Sequence, residues 1–302
     1  MGSNPIPSAI RHLDAGPVCR ALLNDNPGME SYNPDRIRRF DDQFGEGEWE
    51  RLEADARARV ILHIHRWYLK QFIKAGDHVL EAGAGPGRFT IELAKLGAKV
   101  TVGDISPQQL ELNRAKVEEA GLEAHVETRV PLDIVDCSQF DAESFDAVVC
   151  YGSPLSYVLG RADDALEELI RVTKPGGYLL ISVCARLNFY LPDLIEFVRS
   201  DGIDVVDQYI ATGEPDTAGN SGHPMRCYTW SELQALLQRH PVELVAVSAS
   251  NFIATIENIP LLEEIEQEPE FWEAFLRWEV ESCKEPGVLD CGSHIIAVVR
   301  RD

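Results

Sequence analysis

From residue 78 to residue 184 the chain alternates two kinds of apolar pattern. Short, nearly continuous apolar runs predict strands: HVLEA (78–82), AKVTVGD (98–104), AHVETRV (124–130), SFDAVVCYGS (144–153) and YLLISVC (178–184). Between them, apolar residues recur every three or four positions and predict helices over GRFTIELAKLG (87–97), SPQQLELNRAKVEEAG (106–121) and ADDALEELIRVTKPGG (162–177). The second helix carries Ser106 as N-cap, Pro107 in the first turn, Gln109 in capping-box position and Gly121 as terminator. The third is expected to stop at Pro175 and the pair Gly176 and Gly177. Strands alternating with helices point to an α/β fold with a parallel sheet covered on both faces.

The flanks read differently. Residues 1–77 lack strand alternation, and EWERLEADARARVILHIHRWYLKQFIK (48–74) predicts one long amphipathic helix. Residues 185–228 are mixed and loop-rich. Thr229 and Glu232 sit in capping-box positions before LQALLQRH, VELVAVSAS (242–250) and SHIIAVVRR (293–301) predict two last strands, and one or two helices lie between these. The division expected is a helical N-terminal cap or lid over 1–74 and a main domain over 75–302. Within the latter, 75–185 form the first half, and 186–228 and 251–290 are insertions.

Composition narrows the classes. The chain has 302 residues, 45% of them apolar, enough for a substantial core. No stretch of about eighteen uncharged apolar residues occurs, so no membrane span is expected. The opening MGSNPIPSAIRHLD lacks the apolar core of a signal peptide, and Ile6 stands where a myristoylation signal needs Ser or Thr. The net charge of −22 opposes binding to a phosphate backbone, so no nucleic-acid partner is expected. Seven cysteines at irregular spacing form no C-x-x-C pair, which fits a reducing, cytoplasmic setting and predicts no metal site. Nothing in the pattern specifies an oligomer.

The candidate chemistry begins at VLEAGAGPGRF (79–89), where Gly83, Gly85 and Gly87 follow the first strand and Glu81 precedes them. Such a turn lets backbone N–H groups approach a ligand without Cβ interference. The third glycine comes one residue too early for G-x-G-x-x-G, and no Gly-Lys-Ser/Thr follows as in a P-loop. The stretch VLEAGAGPGRFTIELAKLGAKVTVGDISPQQLELNRAK resembles the cofactor-binding half of class I S-adenosylmethionine-dependent methyltransferases. Asp104, followed by Ile105, matches the acid that ends that family's second strand. LDIVDCSQFDAESFD (132–146) aligns with its third motif, with Leu132 in place of the usual glycine. Cys150, Tyr151, Gly152 and Ser153 match the edge where cofactor and acceptor meet.

The resemblance implies a Rossmann-like, seven-stranded, mostly parallel sheet with helices on both faces, a helical N-terminal cap and a helical insertion before the last strand. It implies S-adenosyl-L-methionine as cofactor. Glu81, Gly83, Gly85 and Gly87 would lie near the methionine end, Asp104 and Ile105 at the ribose, Asp133 and Ile134 at the adenine, and Cys150 and Gly152 beside them. A carboxylate suits ribose hydroxyls, which are donors, and an acidic site suits the ammonium. Simpler readings stay open: a plain tight turn for the glycines, a helix cap for Asp104, a turn acid for Asp133, and core packing for Tyr151.

The acceptor side is less legible. A small-molecule methyl acceptor, methylated on oxygen or nitrogen, is expected, with proximity and orientation as the main catalytic effect. His223 and Tyr151 are the catalytic candidates. Tyr32, Phe40, Tyr157, Arg226 and Tyr228 are the acceptor-binding candidates, with packing of a helical cap as the simpler reading for the first two. His63 and His65 read as surface or packing residues, His294 as structural, and Arg88 as a solvated helix residue. The competing functions are a dinucleotide oxidoreductase, a non-catalytic cofactor-binding regulator and a protein methyltransferase.

Overall fold

Successive positions in the central strands are apolar because both faces of the sheet are covered. Val79, Ala147, Val149, Tyr151, Leu180, Ile296 and Val298 enter one core cluster, whereas Leu80, Val148, Cys150, Leu179, Ile181, Ile295 and Ala297 enter the other. This is the two-residue alternation of a strand, with neither side left to water. The computed structural model describes residues 32–190, 194–214 and 225–302. The strands are β1 (His78–Ala82), β2 (Lys99–Asp104), β3 (Val126–Pro131), β4 (Phe145–Cys150), β5 (Thr173–Cys184), β6 (Val242–Ala249) and β7 (His294–Arg301).

The sheet has the order β3-β2-β1-β4-β5-β7-β6. β1 to β5 run parallel, and β7 is antiparallel to both β5 and β6. The order reverses between β1 and β4, so the loops leaving these two strands diverge and open a crevice at their carboxyl ends.

The helices, in chain order, are α1 (Pro34–Phe44), α2 (Gly47–Arg51), α3 (Ala56–Phe72), α4 (Arg88–Lys95), α5 (Pro107–Glu119), α6 (Pro154–Tyr157), α7 (Ala162–Val172), α8 (Arg186–Tyr190), α9 (Leu194–Asp201), α10 (Ile203–Thr212), α11 (Trp230–Leu237), α12 (Ile259–Ile265) and α13 (Pro269–Ser282). α3, α4 and α5 cover one face through Leu62, Ile64, Leu69, Leu93 and Leu110. α7 and α11 cover the other through Leu166, Leu169, Leu233 and Leu236.

Several local expectations are corrected. The helix foreseen over 48–74 is two, α2 and α3. Asp55 takes an extended conformation and its side chain accepts a hydrogen bond from Ala58 N at 2.7 Å, so a new helix starts there. α7 ends at Val172, and Pro175, Gly176 and Gly177 lie within the span of β5, where the β4–β5 register shifts between Phe145 and Ala147. Ser106 caps α5 by accepting from Gln109 N at 3.0 Å, but Gln109 does not return the bond. Ser106 N already donates to Asp104, so the Gln109 amide reaches instead to the carbonyls of Asp41 and Gly45 at the end of α1. The reciprocal capping box at Thr229 and Glu232 is present.

Candidate cofactor and acceptor site

Three glycines after β1 take left-handed backbone angles, with φ of 76° at Gly83, 53° at Gly85 and 98° at Gly87. Gly83 has a second reason to lack a side chain: a Cβ there would lie 2.3 Å from Pro154 Cγ, at the start of α6 after β4. The two loops that flank the crevice thus touch at this glycine.

Two acids close the turn from below. Asp104, at the end of β2, accepts from Gly85 N at 2.7 Å through Oδ2 and from Ser106 N at 2.8 Å through Oδ1. It ties the loops after β1 and β2 together, so the structural reading of this residue and the ligand reading coexist. Burial, with Asp41 nearby, pushes its pKa up to about 7. Glu81, at the end of β1, accepts from Thr90 Oγ1 at 2.5 Å through Oε2, while its buried Oε1 has no partner. Burial pushes Glu81 up to about 8. An orphaned carboxylate oxygen at the end of β1, beside the glycine turn, is an acceptor for a cationic or donor-rich ligand.

The segment after β3 completes this side. Asp133 accepts from Val135 N at 3.0 Å and from Tyr32 Oη at 2.6 Å. Ile134 and Cys150 are buried in the same core cluster, and Ile105 is half-buried. Gly152 N donates to Ser182 Oγ at 3.1 Å, and its φ of 81° lets the chain turn into Ser153.

The helices before β1 fold over this edge. Ser106 Oγ donates to Asp42 Oδ1 at 2.5 Å. The guanidinium of Arg88 lies 3.5 Å from the centre of the Trp49 ring, donates to Trp49 O at 3.0 Å and pairs with Glu53 at 2.7 Å. Arg88 is therefore buried, contrary to the expectation of a solvated helix residue. α4 begins at Arg88 and aims this side chain at the cap. Glu48 Cγ comes within 3.7 Å of the Cβ position of Gly85, and Arg51 pairs with both oxygens of the Glu48 carboxylate.

The structure splits the acceptor candidates into two groups. Tyr157, Arg226 and Tyr228 cluster: Arg226 N donates to Ser156 O at 2.7 Å, its guanidinium sits 5.1 Å from the Tyr228 ring, and Tyr157 packs against the buried group of Cys184, Tyr209, Met225 and Cys227. Tyr32 instead lies on Asp133, and Phe40 stacks on Phe44 within α1 with ring centroids 6.1 Å apart. His223 falls outside the described residues. Tyr151 is buried with its hydroxyl unpartnered, 4.8 Å from the ring of His65 and 5.2 Å from that of Phe89.

His65, read as a surface or packing residue, and His294, read as structural, also converge here, together with Arg57, which the sequence did not single out. His65 is buried, and its ring lies 5.7 Å from that of His294. Arg57 reaches Ser293. The spacing of 57, 61 and 65 places these positions on one helix face, but only the packing of α3 onto β7 shows what that face meets. Among the described residues, no group of three or more His, Cys, Asp or Glu side chains is arranged to hold a metal ion, and no helix is long and apolar enough to cross a membrane.

Residues 79–177 match the model of a family described as a methyltransferase domain. A demethylmenaquinone methyltransferase of Clavibacter sepedonicus is 39% identical over 35% of this chain and 41% of its own length. The human EEF1A lysine methyltransferase 2 is 28% identical over 56% of this chain and 71% of its own length. The chain spans about two fifths of the length of the first curated relatives it matches. A solved structure, the 1,6-didemethyltoxoflavin-N1-methyltransferase of Burkholderia thailandensis, superposes with a TM-score of 0.53 over 92% of both chains at 17% identity, a likeness of fold. The orphaned oxygen of Glu81, the side-chain-free turn and the buried Asp104 fit a ligand with an ammonium group and vicinal hydroxyls, which is what S-adenosylmethionine presents. Over residues 79–177 the chain is thus a match to the methyltransferase-domain family, set in a Rossmann-like seven-stranded sheet.

Proposed function

We propose that the protein transfers the methyl group of S-adenosylmethionine to an oxygen or nitrogen of a small molecule. The observation that carries this reading is the pair of buried acids, Glu81 and Asp104, flanking a glycine turn where the strand order reverses. Burial raises the pKa of both, so the fold opposes their ionisation. A ligand that brings a cation and hydroxyl donors relieves that opposition.

In this reading Glu81 holds the ammonium, Asp104 the ribose hydroxyls, and Asp133 and Ile134 the adenine, with Gly83, Gly85, Gly87, Ile105, Cys150 and Gly152 shaping the walls. The bound donor supplies an electrophilic methyl group. The chain's own work is alignment and exclusion of water. The segment 1–74 acts as a cap, with Tyr32 and Phe40 at its inner side, and 75–302 act as the transferase domain. Tyr151, whose hydroxyl burial keeps protonated, offers a hydrogen bond to the acceptor. Tyr157, Arg226 and Tyr228 border the acceptor. His223 takes a proton where the acceptor must lose one.

The Clavibacter and Burkholderia proteins, whose names specify small molecules, support this substrate class. The similarity to a lysine methyltransferase favours a second reading, methylation of a protein side chain, which a net charge of −22 suits when the partner is basic.

Calorimetric titration with S-adenosylhomocysteine and with NADH, in the wild type and Asp104→Ala, tests the donor site. S-Adenosylhomocysteine is expected to bind, to raise Tm by mass action, and to lose about tenfold or more in affinity in the variant, an effect of one charge-assisted contact. Stabilisation by NADH alone overturns the reading. A screen for released S-adenosylhomocysteine against small-molecule and basic-protein panels then separates the two substrate classes.

A further inference from the structure

A second group of buried polar atoms lies beside the donor residues and is used by none of them. Arg57, Ile61 and His65 follow one another at four-residue spacing along α3, so they share a face. Arg57 Nη2 donates to Ser293 Oγ, immediately before β7. Eight residues on, His65 packs edge-on against Tyr151 and His294. His65 Nδ1 lies 2.8 Å from Ile61 O, and a carbonyl only accepts, so the proton sits on Nδ1. Burial lowers the His65 pKa to about 3, and the ring stays neutral. Arg57 Nε and Tyr151 Oη are buried without a partner, and the side chains of Ser153 and His294 meet the buried Cys184 thiol. Arg57, Tyr151, Ser153 and His294 come from α3, the β4 exit and the start of β7.

The anomaly is Arg57. Its only side-chain partner among the described residues is the neutral hydroxyl of Ser293. Three acids act on it electrostatically without a hydrogen bond: Asp55, Glu279 and Glu257, whose own carboxyl Arg57 helps to hold low. Two of these are committed elsewhere. Asp55 caps α3, and Glu279 accepts from the backbone N–H groups of Phe252, Ile253 and Ala254. Burial consequently lowers the guanidinium's pKa rather than being offset by a carboxylate. A largely buried cation to which no carboxylate is hydrogen-bonded among the described residues is costly. The chain has 50 acidic residues against 28 basic ones, so acids were not lacking.

The position separates this group from the donor. Ala56 and Val60, on either side of Arg57, pack on Ala254, Leu262 and Ile265 beyond β6. Ser293 lies at the β5–β7 edge, where its carbonyl accepts from Ala185 N at 3.0 Å. The donor acids end β1 and β2, on the far side of β4. Tyr151 stands between the two groups.

We propose that Arg57, together with Ser293, binds an anionic oxygen group, a carboxylate or a phosphate, carried by the methyl acceptor. This rests on the transferase reading above and names its substrate class. The guanidinium presents a planar fork of donors that matches two oxygens of either anion. Tyr151 then faces the remainder of the acceptor, and its unpaired hydroxyl supplies a polar contact.

The test uses the full chain loaded with S-adenosylhomocysteine. Failure of this nucleoside to bind the wild type would refute the donor site and so the transferase reading, and is scored first. The loaded protein is titrated calorimetrically with matched pairs: 4-hydroxybenzoate and 4-aminobenzoate against their amides, and phenyl phosphate against phenol. The expected result is binding of at least one anion, tenfold or more tighter than its neutral partner. The carboxylate and phosphate arms identify which group the site takes. Arg57→Gln is expected to abolish the preference, Arg57→Lys to restore part of it, and both to leave the affinity for S-adenosylhomocysteine within twofold. Equal binding of acids and neutral partners, no anion binding, or an unchanged preference in Arg57→Gln overturns the proposal. A tenfold loss of S-adenosylhomocysteine affinity in Arg57→Gln with circular dichroism unchanged also overturns it, by assigning the arginine to the donor.

Discussion

At the scale of single residues, Glu81 and Asp104 decide how the site responds to pH. Both have folded pKa values raised by burial, to about 8 and about 7. Between the ordinary carboxylate range near pH 4 and these values, the folded state holds more protons than the unfolded chain. Their contribution to stability is therefore complete at low pH and lost as pH rises through that window. Ligand binding runs the other way, because an ammonium and hydroxyl donors favour the ionised acids. The affinity for S-adenosylhomocysteine is expected to rise from pH 6 to pH 8.5, by at most about tenfold per unit for each proton released. Calorimetry in buffers of different ionisation enthalpy counts those protons. Glu81→Gln keeps the shape without the titration, and should both weaken binding at pH 8.5 and flatten the upper part of the profile. A profile already flat in the wild type would mean that Glu81 and Asp104 are ionised in the free protein. Both acids were legible in the sequence as strand-end residues. Their burial was not, because it depends on Thr90, Asn113 and the cap helices closing around them.

At the scale of elements, the turns carry the information. A Cβ at Gly83 meets Pro154, and the φ of 76° strains any other residue there. Gly83→Ala is expected to cost about 1–3 kcal/mol from backbone strain alone, with further loss as α6 is displaced, measurable by urea denaturation. Ser106→Ala removes a helix cap worth about 1 kcal/mol, and also the bond to Asp42. It should lower stability and loosen α1 together. The pattern of apolar positions located all seven strands to within a few residues; the central ones leave a dense signal because both faces are buried, while β3 and β6 at the edges show only alternation. The long run from 48 to 74 was legible as helix but not as two helices. The break depends on Asp55 turning its carboxylate onto Ala58 N, and Asp is equally at home on a solvated helix face. Gln109 shows the same limit: its position fits a capping box, yet its amide serves the neighbouring helix.

At the scale of the whole molecule, the cap and the sheet are joined by a few specific contacts across the carboxyl edge. Arg88 on Trp49, Gln109 on α1, Ser106 on Asp42 and Tyr32 on Asp133 together hold α1 and α2 down. Trp49→Ala is expected to speed proteolysis between residues 45 and 55 while leaving the sheet domain resistant, and S-adenosylhomocysteine should slow that cleavage in the wild type more than in the variant. Equal protease sensitivity of wild type and variant would show that the other three contacts suffice. The sequence by itself determined the α/β class, the strand positions, the glycine turn and the acids beside it, because each is encoded within a few residues by periodicity or by backbone freedom. Tertiary structure alone decided which distant side chains face one another. It buried Arg88 under Trp49, and it set His65 and Arg57 against the start of β7 and Tyr151 against His65. Those contacts join residues up to 236 positions apart, and no local pattern of apolar and polar residues specifies a partner at that distance.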